Sequence, residues 1–281
     1  MKVLLYGINY SPELTGIGKY SGEMARWLAE HGHDVRVVTA PPYYPDWKVW
    51  QGYPYWCFSK RQEEGVTVIR CPLYVPSKPT ALKRLVHLAS FSLSSSLAIL
   101  AQLRWKPDLL VVVVPTLFCA PQALLLAKLS GAKSVLHIQD YEVDALFGLG
   151  IAQGNVLKRF AFGIEGVVLR AFDRVTTISS GMLLRAHEEG VAAASLRFFP
   201  NWSGNLSIPK NVSRNAALLT RLGVDPGKRI LLYSGDIGES RGWRLWSRSC
   251  RAAVKAQDLV FLIVGEGAGK ARLVDLAQQK A

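Results

Sequence analysis

The residues best suited to chemistry gather in four short stretches, each directly behind an apolar run. In "HIQDYEVD", residues 137 to 144, an imidazole (His137) and three carboxylates (Asp140, Glu142, Asp144) follow such a run. A carboxylate there can orient a hydroxyl or take a proton, while His137 can act as a base or be a satisfied structural residue. In "GINYSPELTGIGKY", residues 7 to 20, Gly16 and Gly18 lead into a helix-like stretch. Its first N–H groups could face an anion or a hydroxyl-rich ligand, or the turn could only cap the helix. In "YSGDIGESRG", residues 233 to 242, Gly235 and Gly238 let the backbone approach a phosphate. Arg241 can meet two phosphate oxygens through its planar fork, although a plain turn remains the alternative. The fourth stretch, "VGEGAGK", residues 264 to 270, is one residue short of a P-loop, and Ala271 stands where the magnesium-binding hydroxyl belongs. An ATPase is therefore excluded. The absence of any Asp-x-Asp pair removes one common way to hold a nucleotide-bound metal ion, so no metal site is expected.

These stretches need strands and helices to position them. Up to residue 200 the chain alternates "KVLLYGI", "HDVRVVTA", "VTVIRC", "PDLLVVVV", "KSVLHIQ", "DRVTTIS" and "LRFFP" with helical segments. The helical segments lie near residues 18 to 31, 81 to 104, 117 to 130, 155 to 171 and 180 to 189. Continuous Val/Ile/Leu runs between helices predict a parallel sheet covered on both faces, an α/β doubly wound domain. Ligands in such sheets collect at the carboxyl ends of the strands, where all four stretches fall. Residues 1–200 form one Rossmann-like domain in this reading and the Pro/Asn/Ser-rich residues 201–227 a linker. Residues 228–281 start a second domain with only two strands, fewer than its sheet needs, so that an incomplete domain is expected. The dinucleotide fingerprint fails after the first strand, and no acidic residue ends the second, which disfavours a nicotinamide enzyme.

The chain has 281 residues, is 49% hydrophobic, and carries a formal net charge of +13. The basic residues are spread out and no nucleic-acid motif appears, so the expected partner is a phosphate-bearing substrate or an anionic membrane face rather than nucleic acid. Four scattered cysteines predict reduced thiols in the cytoplasm. Residues 82 to 106 combine basic ends with an apolar, serine-rich middle. The five serines and His87 weaken a spanning helix, and a buried or surface-lying helix is expected.

Taken in order, "PELTGIGKY", "HIQDYEVDA", "TTISSGM", "PNW", "YSGDIGE" and "FLIVGEGAGKARL" resemble family 4 of the retaining glycosyltransferases. Within it they are most similar to the colanic acid biosynthesis fucosyltransferase group. The resemblance implies a GT-B fold: two Rossmann-like domains, the first mainly for acceptor and the second mainly for nucleotide sugar. It places Gly16, and Gly18 in the same loop, near the donor phosphates. His137 and Asp140 would face the reacting sugars as catalytic residues, and Asn201 would sit at the hinge. Gly235 and Arg241 would lie near the diphosphate, and Val264 to Gly267, with Gly265 and Glu266, would edge the base. The implied reaction moves fucose from GDP-fucose to a lipid-linked oligosaccharide in exopolysaccharide biosynthesis. The anomeric configuration is kept and no cofactor or metal is used, at the cytoplasmic face of the inner membrane.

Two departures from the family pattern stand out. A later pair of glutamates, seven residues apart, does not occur before the chain ends, and Arg241 replaces the usual loop lysine. "RGWRLWSRSCR" sets Trp243, Trp246 and four arginines where an apolar-faced helix should pack. Tryptophan codons read one base earlier yield Leu, Val or Met, so a local frameshift around residues 240 to 252 is expected, with a real Trp/Arg-rich surface helix as the alternative. On this basis an alternative stands beside the transferase: an inactive, truncated or frameshifted chain that keeps only acceptor or membrane binding, with low activity and solubility.

Overall fold

The structure is a computed structural model that describes residues 1–14, 16–115, 117–141, 155–203, 215–235, 237, 258–267 and 269–278. It divides into two compact units, Met1–Gly204 and Asn205–Ala281.

The first unit is built on an eight-stranded sheet. Its strands are β1 (Lys2–Tyr6), β2 (Asp34–Thr39), β3 (Ser59–Glu63), β4 (Val66–Arg70), β5 (Leu109–Val114), β6 (Lys133–Ile138), β7 (Arg174–Thr177) and β8 (Leu196–Phe198). They lie in the order β3-β4-β2-β1-β5-β6-β7-β8. Every neighbouring pair is parallel except β3, which runs antiparallel to β4 at the edge. The chain moves outward from β1 through β2 to β4, then returns to place β5 on the other side of β1. The carboxyl ends of β1 and β5 therefore flank the point where the strand order reverses, where such sheets bind ligands.

The central strands β1, β2, β5 and β6 are largely apolar because helices cover both faces. Helix α1 (Gly16–Glu30) packs Ala25 and Leu28 against Val3, Leu5, Val35, Val37, Val111 and Val113. The alternate residues Leu4, Tyr6, Leu110, Val112, Leu136 and Ile138 face the other way. There they meet α2 (Ala81–Leu100), α3 (Ala120–Ser130), α4 (Asn155–Ala171) and α5 (Ser180–Glu188). This period-two split is what a doubly wound sheet demands.

Strand β3, "SKRQE", was not expected, because it is charged and exposed along most of its length. An edge strand of this composition blunts pairing with other chains. A second difference concerns the expected linker 201–227. Residues Ala216–Arg221 form a short helix, α6, whose Asn215 side chain accepts from the Leu218 N–H at 3.0 Å. The second unit otherwise contains β9 (Arg229–Ser234) and β10 (Leu259–Val264), paired in parallel, and α7 (Lys270–Gln278).

Candidate functional site

The turn from β1 into α1 is organised around one carboxylate. Glu13 is almost wholly buried. Its Oε1 accepts from the backbone N–H groups of Tyr43 and Tyr44, each at 3.0 Å. Its Oε2 accepts from Asn9 Nδ2 at 3.0 Å. Burial raises its pKa, and the two backbone N–H groups, Asn9 and Arg70 oppose the rise. Gly18 makes room for this carboxylate: a Cβ there would lie 2.7 Å from both the Cβ and Oε2 of Glu13. Gly16 serves differently, opening the helix at a left-handed φ of 59° that favours glycine. The turn is also held from the sheet. Arg70, buried at the end of β4, donates to the Ser11 carbonyl at 2.8 Å and grips Glu63 with both terminal nitrogens.

A second cluster stands at the carboxyl ends of β6 to β8, and it is neutral. Gln139 donates to Nε2 of His137 at 3.0 Å, so that nitrogen carries the lone pair. The imidazole proton then sits on Nδ1 and is donated to Thr176 Oγ1 at 2.8 Å. Gln139 and Asn201 join their amides reciprocally, at 3.0 and 2.9 Å. His137 is 3% exposed, and burial lowers its pKa to about 4, so it is uncharged at neutral pH. With both ring nitrogens engaged, His137 fixes the orientation of Gln139, while the amide pair forms the polar end of the cluster. Asn201 thus belongs to the first unit, bonded to β6.

An aromatic chain extends the cluster to α1. The His137 ring stands edge-on to Phe199, with centroids 5.3 Å apart. Phe199 contacts Trp202 at 5.9 Å, and Trp202 meets Tyr20 at 5.3 Å. The Trp202 indole donates to Glu23 Oε2 at 2.7 Å. The segment after β8 therefore crosses the strand ends and fastens to the amino-terminal half of α1.

Asp140 follows Gln139 on the exposed rim. Desolvation of its carboxyl raises its pKa, opposed by a hydrogen bond from the Tyr141 N–H. Tyr141 pins the turn beneath it. Its hydroxyl donates to the Met182 carbonyl at 2.9 Å, and the Arg185 guanidinium lies 3.9 Å from its ring centroid. Arg185 in turn pairs with Glu165 at 2.9 Å and Glu189 at 3.0 Å. Glu142 and Asp144 lie outside the described residues.

In the second unit, the glycine turns after β9 and β10 interlock. Gly235 N–H donates to the Val264 carbonyl at 3.0 Å, and Ile237 N–H to the Glu266 carbonyl at 2.8 Å. A Cβ on Gly265 would fall 1.9 Å from the Gly235 carbonyl oxygen, so only glycine fits there. The Glu266 side chain is exposed and pairs with Lys270 one helical turn on. Gly238, Arg241 and the Trp/Arg-rich stretch 240–252 lie outside the described residues. Among the described residues no group of three His, Cys, Asp or Glu side chains could hold a metal ion.

Residues 15–202 match the glycosyl transferase 4-like domain. The chain belongs to this family. It is 54% identical over 286 aligned positions to WcaI of Escherichia coli (strain K12), a glycosyl transferase named for colanic acid biosynthesis. That alignment covers 100% of this chain and 69% of WcaI. Solved structures agree on the fold. Sucrose-phosphate synthase from Thermosynechococcus elongatus superposes with a TM-score of 0.63 at 15% identity, over 99% of this chain and 68% of that one. HepE of Anabaena, in complex with UDP, gives 0.59 at 14% identity, over 99% and 65%. The fold class of this glycosyl transferase 4-like chain is α/β, GT-B, with Rossmann-like architecture.

Sequence reasoning named Gly16, Gly18, His137, Asp140 and Asn201, and the first unit holds all five on its carboxyl-end rim or the turn behind it. It overlooked Glu13, Gln139, Thr176 and Trp202. Glu13 and Gln139 stood inside stretches already singled out. A carboxylate five residues before a tight glycine, and an amide two residues after a strand-end histidine, were the signals available.

Proposed function

We propose that this chain transfers fucose from GDP-fucose to a lipid-linked oligosaccharide in the assembly of a colanic acid-like exopolysaccharide, with retention at the anomeric carbon. The bond from that carbon to the diphosphate oxygen breaks, and one to an acceptor hydroxyl oxygen forms on the same face. The observation that carries this reading is the 54% identity to WcaI, which extends over the whole of this chain. HepE, which shares the fold, binds UDP, and this supports a nucleotide-linked donor.

In this reading Asp140 and the Gln139–Asn201 amide pair contact the reacting sugars, and His137 positions the pair from behind. Gly16 and Gly18 shape the loop near the donor phosphates. The diphosphate is held by main-chain amides near Gly235 and by Arg241, whose fixed charge takes the place of a metal ion. Gly265 and Glu266 border the base. The reaction takes place at the cytoplasmic face of the inner membrane, where a diphosphate-lipid acceptor is anchored. The inactive-chain alternative is not favoured, since the match to WcaI runs through all the motif stretches.

The test is calorimetric titration of the purified chain with GDP-fucose, GDP-mannose and UDP-glucose, followed by transfer to lipid-linked oligosaccharide and proton NMR of the product's anomeric coupling. Saturable binding of GDP-fucose and a product of unchanged configuration are expected. Preference for another nucleotide sugar overturns the donor assignment, and an inverted product overturns retention.

A further inference from the structure

Helix α2 is amphipathic the wrong way round for a helix on a water-soluble surface. Its Ser92, Ser95 and His87 side chains point inward. Ser95 Oγ lies 2.6 Å from the Tyr6 hydroxyl of β1, and Ser92 Oγ donates to the Phe118 carbonyl at 2.7 Å. Gln122 of α3 donates to both Ser92 Oγ and the Tyr6 hydroxyl, each at 2.9 Å. His87 and Gln102 are buried as well. The serines that argue against a membrane on composition are thus consumed inside the domain.

The outward side of α2 is aliphatic. Leu82, Val86, Leu93 and Leu97 are exposed, Leu93 and Leu97 by 75% and 72%. At about 100° per residue these four positions fall within one narrow stripe. The neighbouring α3 adds Leu125 and Leu129, also exposed, to the same two-helix layer. An apolar surface of this kind on a folded domain marks a docking site.

Charge identifies the occupant. Between Glu64 and Asp140 the chain has no acidic residue except Asp108. Lys78, Lys83, Arg104, Lys106 and Lys128 are all exposed in that interval. An aliphatic stripe with a predominantly basic fringe, Asp108 being its one acid, complements an anionic lipid surface, which accepts the leucines between acyl chains and the lysines at headgroups. Residues Leu82–Arg104 are long and apolar enough to cross a bilayer, with mean hydropathy 1.4. Crossing would strip the buried Ser95 of Tyr6 in β1 and the buried Ser92 of Gln122 in α3, so the helix lies on the membrane instead.

We propose that α2 and α3 together form a monotopic membrane-docking face that inserts the outward leucines shallowly into an anionic leaflet. This rests on the reading of the chain as an enzyme of lipid-linked acceptors, and it names the surface that brings the enzyme to them. The test is sedimentation of the full chain with vesicles of phosphatidylcholine alone or with 30% phosphatidylglycerol, for the native chain, Leu93→Ser/Leu97→Ser and Lys83→Glu/Lys128→Glu. Binding to anionic vesicles is expected to fall at least tenfold in each double variant. It should also weaken in high salt, while GDP-fucose titration stays unchanged. A variant failing by misfolding is recognised by loss of the native circular-dichroism transition, and the other variant then decides. Unchanged vesicle binding in both overturns the proposal. So does a protein released only by detergent, which would span, or a native dimer dissolved by the leucine changes without vesicle binding, which would make the face a self-association surface. Failure of the donor titration alone defeats the fucosyl reading and leaves the docking face standing.

Discussion

The two clusters at the sheet's carboxyl edge solve one problem, fixing a loop over strand ends, in opposite ways. At β1 the loop closes around a charge: Glu13, buried, is satisfied by two backbone N–H groups and one side-chain amide. At β6 to β8 the loop closes around neutral groups: Thr176, His137, Gln139 and Asn201 pass hydrogen bonds along a line. A buried charge is costly to disturb, because removing either side strands the other. A neutral amide pair can exchange partners at little cost, which suits a surface that must trade hydrogen bonds with sugar hydroxyls. The first cluster is therefore an anchor, and the second is the proposed contact surface.

The largest effect should come from breaking the anchor. Glu13→Ala leaves the Tyr43 and Tyr44 N–H groups and the Asn9 amide without their acceptor. At about 1–3 kcal/mol for the buried Tyr43 N–H and less for the exposed Tyr44 and the half-buried Asn9, the loss should reach roughly 3–5 kcal/mol. Urea unfolding measures it, with Glu13→Gln losing less because one carbonyl oxygen remains. Gly18→Ala should cost somewhat less in the Glu13→Ala background than alone, since Oε2 is then absent while the Cβ of residue 13, also 2.7 Å away, remains. Equal costs in both backgrounds would separate Gly18 from the anchor.

The next effect separates the clusters by sign. His137 has a folded pKa of about 4 against an ordinary 6.5. Its contribution to stability is fully present above pH 6.5 and is lost as pH falls towards 4. The span amounts to on the order of 3 kcal/mol. Glu13 is shifted upward, so its contribution is present below its ordinary value near 4.5 and is lost as pH rises through the folded value. Stability against pH should therefore flatten on the acidic side in His137→Gln and steepen in Glu13→Gln. Parallel profiles in the two variants would contradict the contrast.

Much of this frame was legible in the chain. Seven strands of the first unit announce themselves as apolar or β-branched stretches between helical segments, and the glycines of the first turn mark where α1 begins. The eighth, β3, has no apolar face to announce it, because an edge strand needs none. The clusters were legible only in part. His137 and Asp140 draw notice because they titrate, whereas Gln139 and Thr176 carry no charge and matter only through what they touch. Arg70 and Glu63 look like surface residues until β3 and β4 pair and close them over the Ser11 carbonyl. The serines of α2 counted rightly against a spanning helix, but composition could not show that Ser92 and Ser95 are satisfied inside the domain.

A smaller effect tests whether the neutral line is a contact surface. Asn201→Ala removes both hydrogen bonds of the amide pair at a half-exposed site, where together they are worth about 1–2 kcal/mol. Stability should drop by roughly that much, while transfer activity should fall at least tenfold, because the pair is proposed to meet the reacting sugars. A matching one-for-one loss in both measurements would make Asn201 only a structural tie.

The smallest effect concerns the strap that joins the clusters. Trp202 meets Tyr20 with its ring and Glu23 with its indole N–H, so two contacts hold the segment after β8 to α1. Trp202→Phe keeps an aromatic ring and removes only the donor. Glu23 is partly exposed and retains Lys19 at 4.0 Å, which softens the loss to roughly 1 kcal/mol. A double-mutant cycle of Trp202→Phe with Glu23→Gln should give a coupling energy of about that size. Coupling near zero would mean that aromatic packing alone fastens the strap. Asn201, one residue before Trp202, would then be positioned from β6 rather than from α1, and the neutral cluster would owe nothing to the helix that the charged one anchors.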